Sequence, residues 1–118
     1  MKASELRIGN YYQWDGEGKF LQIGVEQLSK MLIGTTRIKP IQLTEEILLK
    51  CGFKLYPSGS YCIDLFDKDN YLAIDIKYNK GFIYINVDDT SLKIESKYLH
   101  QLQNLYFALT NNELNIEL

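Results

Sequence analysis

Apolar and polar positions change their period along this chain, and each change marks a part of it. From 6 to 25, two runs rich in aromatic and β-branched residues flank a Gly-rich turn. They are Leu6-Arg-Ile-Gly-Asn-Tyr-Tyr-Gln-Trp14, then Asp15-Gly-Glu-Gly18, then Lys19-Phe-Leu-Gln-Ile-Gly-Val25. That arrangement predicts a β-hairpin, with bulges or tight bends at Gly9 and Gly24. Residues 26–34 fit two patterns: Leu28, Met31 and Leu32 make a helical stripe, yet a strand also accommodates them. Thr44 has N-cap chemistry, and Glu45 and Glu46 place negative charge where a helix dipole favours it. Leu43 and Leu48 occupy staple positions, Ile47, Leu48 and Cys51 form an inward stripe, and Gly52 suits a left-handed stop. A short helix over 45–51 follows.

Beyond Pro57-Ser-Gly-Ser60 the period becomes two. Four strands are expected, over 61–66, 71–78, 82–87 and 91–96, separated by Asp67-Lys-Asp-Asn70, Asn79-Lys-Gly81 and Asp88-Asp-Thr90. Leu72, Ile74 and Ile76 alternate with Asp75 and Lys77, as Leu92 and Ile94 do with Lys93 and Glu95. The pattern reads as an antiparallel meander with one dry and one wet face. Between Lys97 and Leu109 the spacing is that of an amphipathic helix: Tyr98, Leu99, Leu102, Leu105, Tyr106 and Leu109. This helix is expected to cover the meander, with Leu102 and Leu105 buried against it. Asn111-Asn112 ends it, and Leu114-Asn-Ile116 offers an edge strand. The fold class is α+β, with a small β module of SH3-like kind over 1–39 and a helix–meander–helix domain over 40–118, the two packed as one unit. Phe82–Val87 carries few Pro or Lys gatekeepers, so an exposed edge there and a two-fold homodimer are expected.

Composition narrows the function classes. The chain has 118 residues, 46% of them hydrophobic, enough for a real core in a single domain. Thirteen Lys+Arg against fifteen Asp+Glu give a formal net charge of -2, which argues against general nucleic-acid binding. No apolar run approaches the roughly 18–20 residues of a membrane helix. The opening Met-Lys-Ala-Ser-Glu-Leu-Arg lacks the apolar stretch of a signal peptide, so a cytoplasmic location is expected.

Candidate chemistry is sparse. Cys51 and Cys62 match no zinc spacing and read as buried free thiols rather than a disulfide. No phosphate-cradling glycine loop or nucleophile-elbow motif is present. Asp64, Asp67, Asp69, Asp75, Asp88 and Asp89 lie in or beside the meander, where Asp is also the ordinary turn residue. Asp67-Lys-Asp-Asn70 opens like a calcium loop but lacks its glycine and closing glutamate. His100 is the sole histidine, placed toward the polar side of the last helix beside Gln101, Gln103 and Asn104. A solvated surface is the ordinary reading of that face, and a polar partner contact the functional one.

Aromatic residues are the strongest anomaly. Nine Tyr and one Trp occur, with Tyr11, Tyr12 and Trp14 crowded into one strand. Alternation puts Tyr12 and Trp14 on one face and Tyr11 and Gln13 on the other. Arg7 and Arg37, the only arginines, fall in or beside this module. Aromatic anchors beside a planar cationic fork suit a protein interface or an anionic ligand. Tyr is also a normal strand residue, and core packing is the ordinary reading of the same aromatics, ahead of ligand binding.

Three segments together carry a resemblance: Glu5-Leu-Arg-Ile-Gly-Asn10, Pro40-Ile-Gln-Leu-Thr-Glu-Glu-Ile-Leu-Leu-Lys-Cys-Gly-Phe53, and Tyr98-Leu-His-Gln-Leu-Gln-Asn-Leu-Tyr-Phe-Ala-Leu-Thr110 with Glu113-Leu114. In this order the chain resembles a family of small uncharacterised proteins of Bacteroidetes-type bacteria and their phages and prophages. The resemblance implies a mobile-element accessory protein and transfers no catalytic role to any residue. The expected function is therefore binding without catalysis, cofactor or metal, by sequestering a host defence protein or a small anionic, nucleotide-like ligand. A structural or assembly role in a mobile element is the alternative, and a small hydrolase using the Asp cluster ranks last. The candidate binding residues are Arg7, Tyr12, Trp14, Arg37 and His100.

Overall fold

A computed structural model describes residues 5–14, 20–32, 38–57, 59–64, 72–77, 82–87, 90–95 and 97–117. The fold is mixed α+β, with antiparallel sheets and a C-terminal helix. It divides into two compact units. One comprises Met1–Gln42 with Tyr98–Glu113, and the other Leu43–Lys97 with Leu114–Leu118. This division differs from the expected one between 1–39 and 40–118, because the C-terminal helix groups with the N-terminal segment.

In the first unit, strands β1 (Tyr11–Trp14), β2 (Phe20–Gln22) and β3 (Ile38–Lys39) form a sheet of order β2-β1-β3. β1 and β2 are antiparallel, with Tyr11 opposite Gln22 and Tyr12 opposite Leu21, and Trp14 lies opposite Ile38 on β3. The Gly-rich segment 15–18 lies outside the described residues. The ambiguous stretch after Gly24 is helix α1 (Val25–Leu32). Gln27 decides it: its Oε1 accepts from the Gly24 N–H at 2.8 Å, satisfying one of the orphan donors at a helix start. Tyr12, Ile23 and Ile38 form the buried cluster, with Leu6, Trp14, Leu28 and Met31 packed against it.

The long helix of this unit, named α3 below for its place in the chain, spans Leu99–Thr110. Gln101 reaches back to accept from the Tyr98 N–H at 3.1 Å, and Asn111 ends the helix with φ 58°. The strand-like pair Gln42 and Tyr98 and the bond from Leu99 N–H to Ile41 C=O at 2.8 Å tie its start to the end of the N-terminal segment. Leu99 and Leu102 are fully buried and Leu105 is half-buried. Within the first unit α3 packs with β1.

In the second unit, α2 (Glu45–Lys50) has the expected capping. The Thr44 hydroxyl accepts from Ile47 N–H at 3.2 Å, and Gly52 stops the helix at φ 90° while Phe53 N–H reaches back to Leu48 C=O at 3.1 Å. Strands β4 (Lys54–Leu55), β5 (Tyr61–Asp64), β6 (Leu72–Lys77), β7 (Phe82–Val87) and β8 (Thr90–Glu95) pair in chain order, all antiparallel. The sheet thus has five strands, the short β4 being one more than expected. Its register aligns Tyr61, Ile76, Ile83 and Ile94 in one row and Ile63, Ile74, Ile85 and Leu92 in the next. Apolar positions therefore share a face through the full ladder, the register that a period of two enforces.

Two expectations are corrected here. Phe82–Val87 is not an edge, because β7 is flanked by β6 and β8 along its whole length. Residues 114–116 form no strand. Leu114 is buried, and the tail is held by the Glu117 N–H donating to Lys50 C=O at 3.0 Å. Leu102→Ala should destabilise the protein by about 2–5 kcal/mol, and Leu105→Ala by clearly less. Urea denaturation of both variants checks this, and equal losses would contradict the burial difference.

Candidate functional site

The sequence turns its richest polar chemistry into one place, the junction of residues 5–11 with α3. Gly9 has φ 97°, a left-handed conformation that a side chain disfavours, and this bends the chain so that Asn10 can bond back to Arg7 N–H through its side-chain carbonyl. The bend also pairs Gly9 N–H with Ile23 C=O at 2.8 Å and Ile23 N–H with Asn10 C=O at 2.7 Å. Onto this bent segment α3 presents two amides. Gln103 Oε1 accepts from the Tyr11 N–H at 2.8 Å, and its Nε2 donates to the Gly9 C=O at 3.3 Å. Asn104 Nδ2 donates to Glu5 C=O at 2.8 Å, and its Oδ1 accepts from Asn10 Nδ2 at 2.9 Å and Arg7 Nε at 3.0 Å. These partners lie more than 90 residues apart in the chain.

Arg7 completes the junction. Its guanidinium meets the Glu113 carboxylate through Nη1 at 2.6 Å and Nη2 at 3.3 Å, donates to Gln103 C=O at 3.3 Å, and lies 4.3 Å from the centre of the Phe107 ring. A planar fork with several donors is the one side chain able to fill all these roles at once. The ion pair is partly solvated, so it contributes little by itself. Its value is geometric, fixing the N-terminal segment over the second half of α3.

His100 stands in the first turn of α3 and none of its side chain is exposed. Its ring stacks on Tyr98 with centroids 5.9 Å apart, and Nε2 lies 3.4 Å from Glu5 Oε2. Among the described residues neither ring nitrogen finds a hydrogen-bond partner. Burial holds the imidazole pKa below its ordinary 6.5, and Glu5 opposes that shift. In the second unit, burial likewise pushes the Cys51 thiol up to about 12, which leaves no thiolate nucleophile at neutral pH. Cys51 and Cys62 are both buried free thiols.

The candidate residues thus have distinct placements. Tyr12 lies in the buried cluster of the first unit, and Trp14 packs half-buried against it. Arg7 is engaged by Glu113 and Asn104, and His100 is interior. Arg37 lies outside the described residues. Gln103, expected on a polar surface, is buried, and the helix buries Leu99, His100, Leu102 and Gln103 together. Amides tolerate this because they carry donor and acceptor with no charge to desolvate. The use of Gln and Asn where a wet helix carries Lys and Glu was the signal available in the sequence.

Among the described residues no group of three or more His, Cys, Asp or Glu could hold a metal ion, and no helix is long and apolar enough to cross a membrane. Comparison with protein-family models, with curated proteins and with solved structures yields no match to this chain.

Gln103→Leu leaves the Tyr11 N–H without its side-chain partner and removes one of the two bonds to the Gly9 C=O, and should cost about 1–3 kcal/mol, while Gln22→Leu, which removes the other, exposed bond to Gly9, should cost little. Equal denaturant midpoints for the two variants would reject the clamp. A second expectation concerns pH. Because the folded chain holds His100 below its unfolded pKa, the unfolded state takes up a proton first as pH falls. The stabilisation is complete above about pH 6.5 and declines as pH drops from there toward the folded-state value. His100→Gln should flatten this decline in urea midpoints measured from pH 8 to 5. Parallel profiles for variant and wild type would contradict it.

Proposed function

We propose that this chain is a non-enzymatic accessory protein of phage or prophage type, acting in the cytoplasm by occupying a host protein, with a defence factor the partner class its family resemblance suggests. Its N-terminal module, of the SH3-like kind, is the binding element in this reading. One observation carries the proposal: where residues 5–11 meet α3 the polar groups are engaged with one another, while apolar side chains of the same unit stand exposed. Arg7, Asn10, His100, Gln103 and Asn104 are spent on the junction, whereas Ile8 is 57% and Val25 68% exposed, with Leu21 also exposed. The Gly9–Ile23 backbone bond brings the stretch bearing Ile8 beside the one leading into Val25. Exposed apolar side chains so grouped are the usual makings of a protein contact.

A small anionic ligand is the weaker form of the same reading. Arg7 already has its carboxylate in Glu113, so such a ligand would depend on Arg37. Trp14 supports the module by packing, and binding by it would require its remaining exposed edge.

The test immobilises the full chain and challenges it with extract of the bacterial host. Val25→Asp and Ile8→Asp should each lower the amount of a retained host protein at least tenfold without changing the melting temperature. Trp14→Ala should lower the melting temperature. Retention unaffected by both aspartate variants, or hydrolytic turnover of a substrate panel by the purified chain, would overturn the proposal. Loss of binding on Arg37→Ala alone would move the reading to an anionic ligand.

A further inference from the structure

The five-stranded sheet ends on β8, and among the described residues no strand pairs with its outer side. The opposite end is β4, only two residues long, whereas β8 offers six residues without proline. Val87 and Thr90 are Cα partners at one end of the β7–β8 ladder, with two residues between them in sequence. In an antiparallel ladder closed across two residues the closing pair is hydrogen-bonded, and hydrogen-bonded pairs then alternate. Thr90, Leu92 and Ile94 thereby turn their backbone groups toward β7. Ser91, Lys93 and Glu95 turn theirs toward the open edge.

We propose that this edge pairs with the same edge of a second copy about a two-fold axis, in the register that sets Lys93 opposite the partner subunit's Glu95. The inference uses the second unit alone and does not rest on the function proposed above. Outward backbone groups must meet outward groups, so Ser91, Lys93 and Glu95 pair only among themselves, as do Leu92 and Ile94. Every two-fold centred on a residue of β8 satisfies this: centred on Thr90 or Ser91 it carries Lys93 and Glu95 past the end of the partner strand, and centred on Glu95 it sets two glutamates opposite each other. Centred on Lys93, the register sets Lys93 opposite the partner subunit's Lys93, and like charges directly opposite are destabilising. Centred on Leu92, it sets Lys93 opposite the partner subunit's Ser91 and carries Glu95 past the end of the partner strand. Centred on Ile94, it sets Lys93 opposite the partner subunit's Glu95 on both sides of the axis.

That last register also places Ile94 opposite the partner subunit's Ile94. The row Tyr61, Ile76, Ile83 and Ile94 then continues into the same row of the second copy. Opposite charges and β-branched pairs are both favourable cross-strand neighbours. Pairing covers Lys93–Glu95, half of this end strand, and leaves Thr90–Leu92 beyond the end of the partner strand. A two-fold operator closes the assembly at two copies.

Sedimentation velocity from low to high micromolar concentration tests the register by charge reversal. Wild type should be a dimer. Lys93→Glu and Glu95→Lys each set like charges opposite one another on both sides of the axis, and each should weaken the homodimer about tenfold or more. Mixed in equal amounts, the two variants should pair with each other, and the double variant Lys93→Glu/Glu95→Lys should dimerise again. Circular dichroism of each variant separates a lost dimer from a lost fold. A wild-type monomer at high micromolar concentration overturns the proposal. So does a dimer that both single reversals leave intact, or a pair of reversed variants that fold but stay apart when mixed.

Discussion

The satisfaction of backbone groups in a bent, non-helical segment is the constraint on which the first unit depends. Residues 5–11 turn through Gly9 and cannot meet their own hydrogen-bond needs there. Gln103 and Asn104 supply the missing partners from α3, each with one oxygen and one nitrogen in use. A buried donor or acceptor left unpaired costs about 1–3 kcal/mol, so the two amides hold the segment in place more firmly than their count suggests. The interaction also explains why the last helix of the chain belongs with its first strands.

The same junction shapes the chemistry the protein can offer. A guanidinium, an imidazole and two amides are the groups one would search first for catalysis or ligand binding. Here Arg7 is occupied by a carboxylate, an amide and an aromatic face, and His100 is buried against Tyr98 near Glu5. Beside these engaged groups the unit leaves Ile8, Leu21 and Val25 exposed. In the second unit a different rule governs. A period of two sets which residues of each strand share a face of the sheet.

Helix α2 shows how much of the fold could be read directly. Thr44, the two glutamates and Gly52 are local signals, and each acts within a few residues of its position. The strands β5 to β8 were legible for the same reason, since alternation and turn residues are local. Their order followed from short connections between antiparallel neighbours. The segment after Gly24 was undecided because its apolar residues fit either period, and a single side-chain cap from Gln27 resolved it. The edge was misplaced because edge status belongs to a sheet, and no strand carries it in its own sequence.

The sequence by itself determined the α+β class, the caps of α2, the extended stretches of the meander and the helical stretch before Asn111. Local stereochemistry and period specify all of these. Only the tertiary structure decided that α3 packs with β1, that Gln103 and His100 are interior, and that β8 rather than β7 ends the sheet. Those outcomes depend on partners about 90 residues distant or on neighbours in space. A polar residue on a helix reads as wet until its partner is known, because burial is a property of the pair.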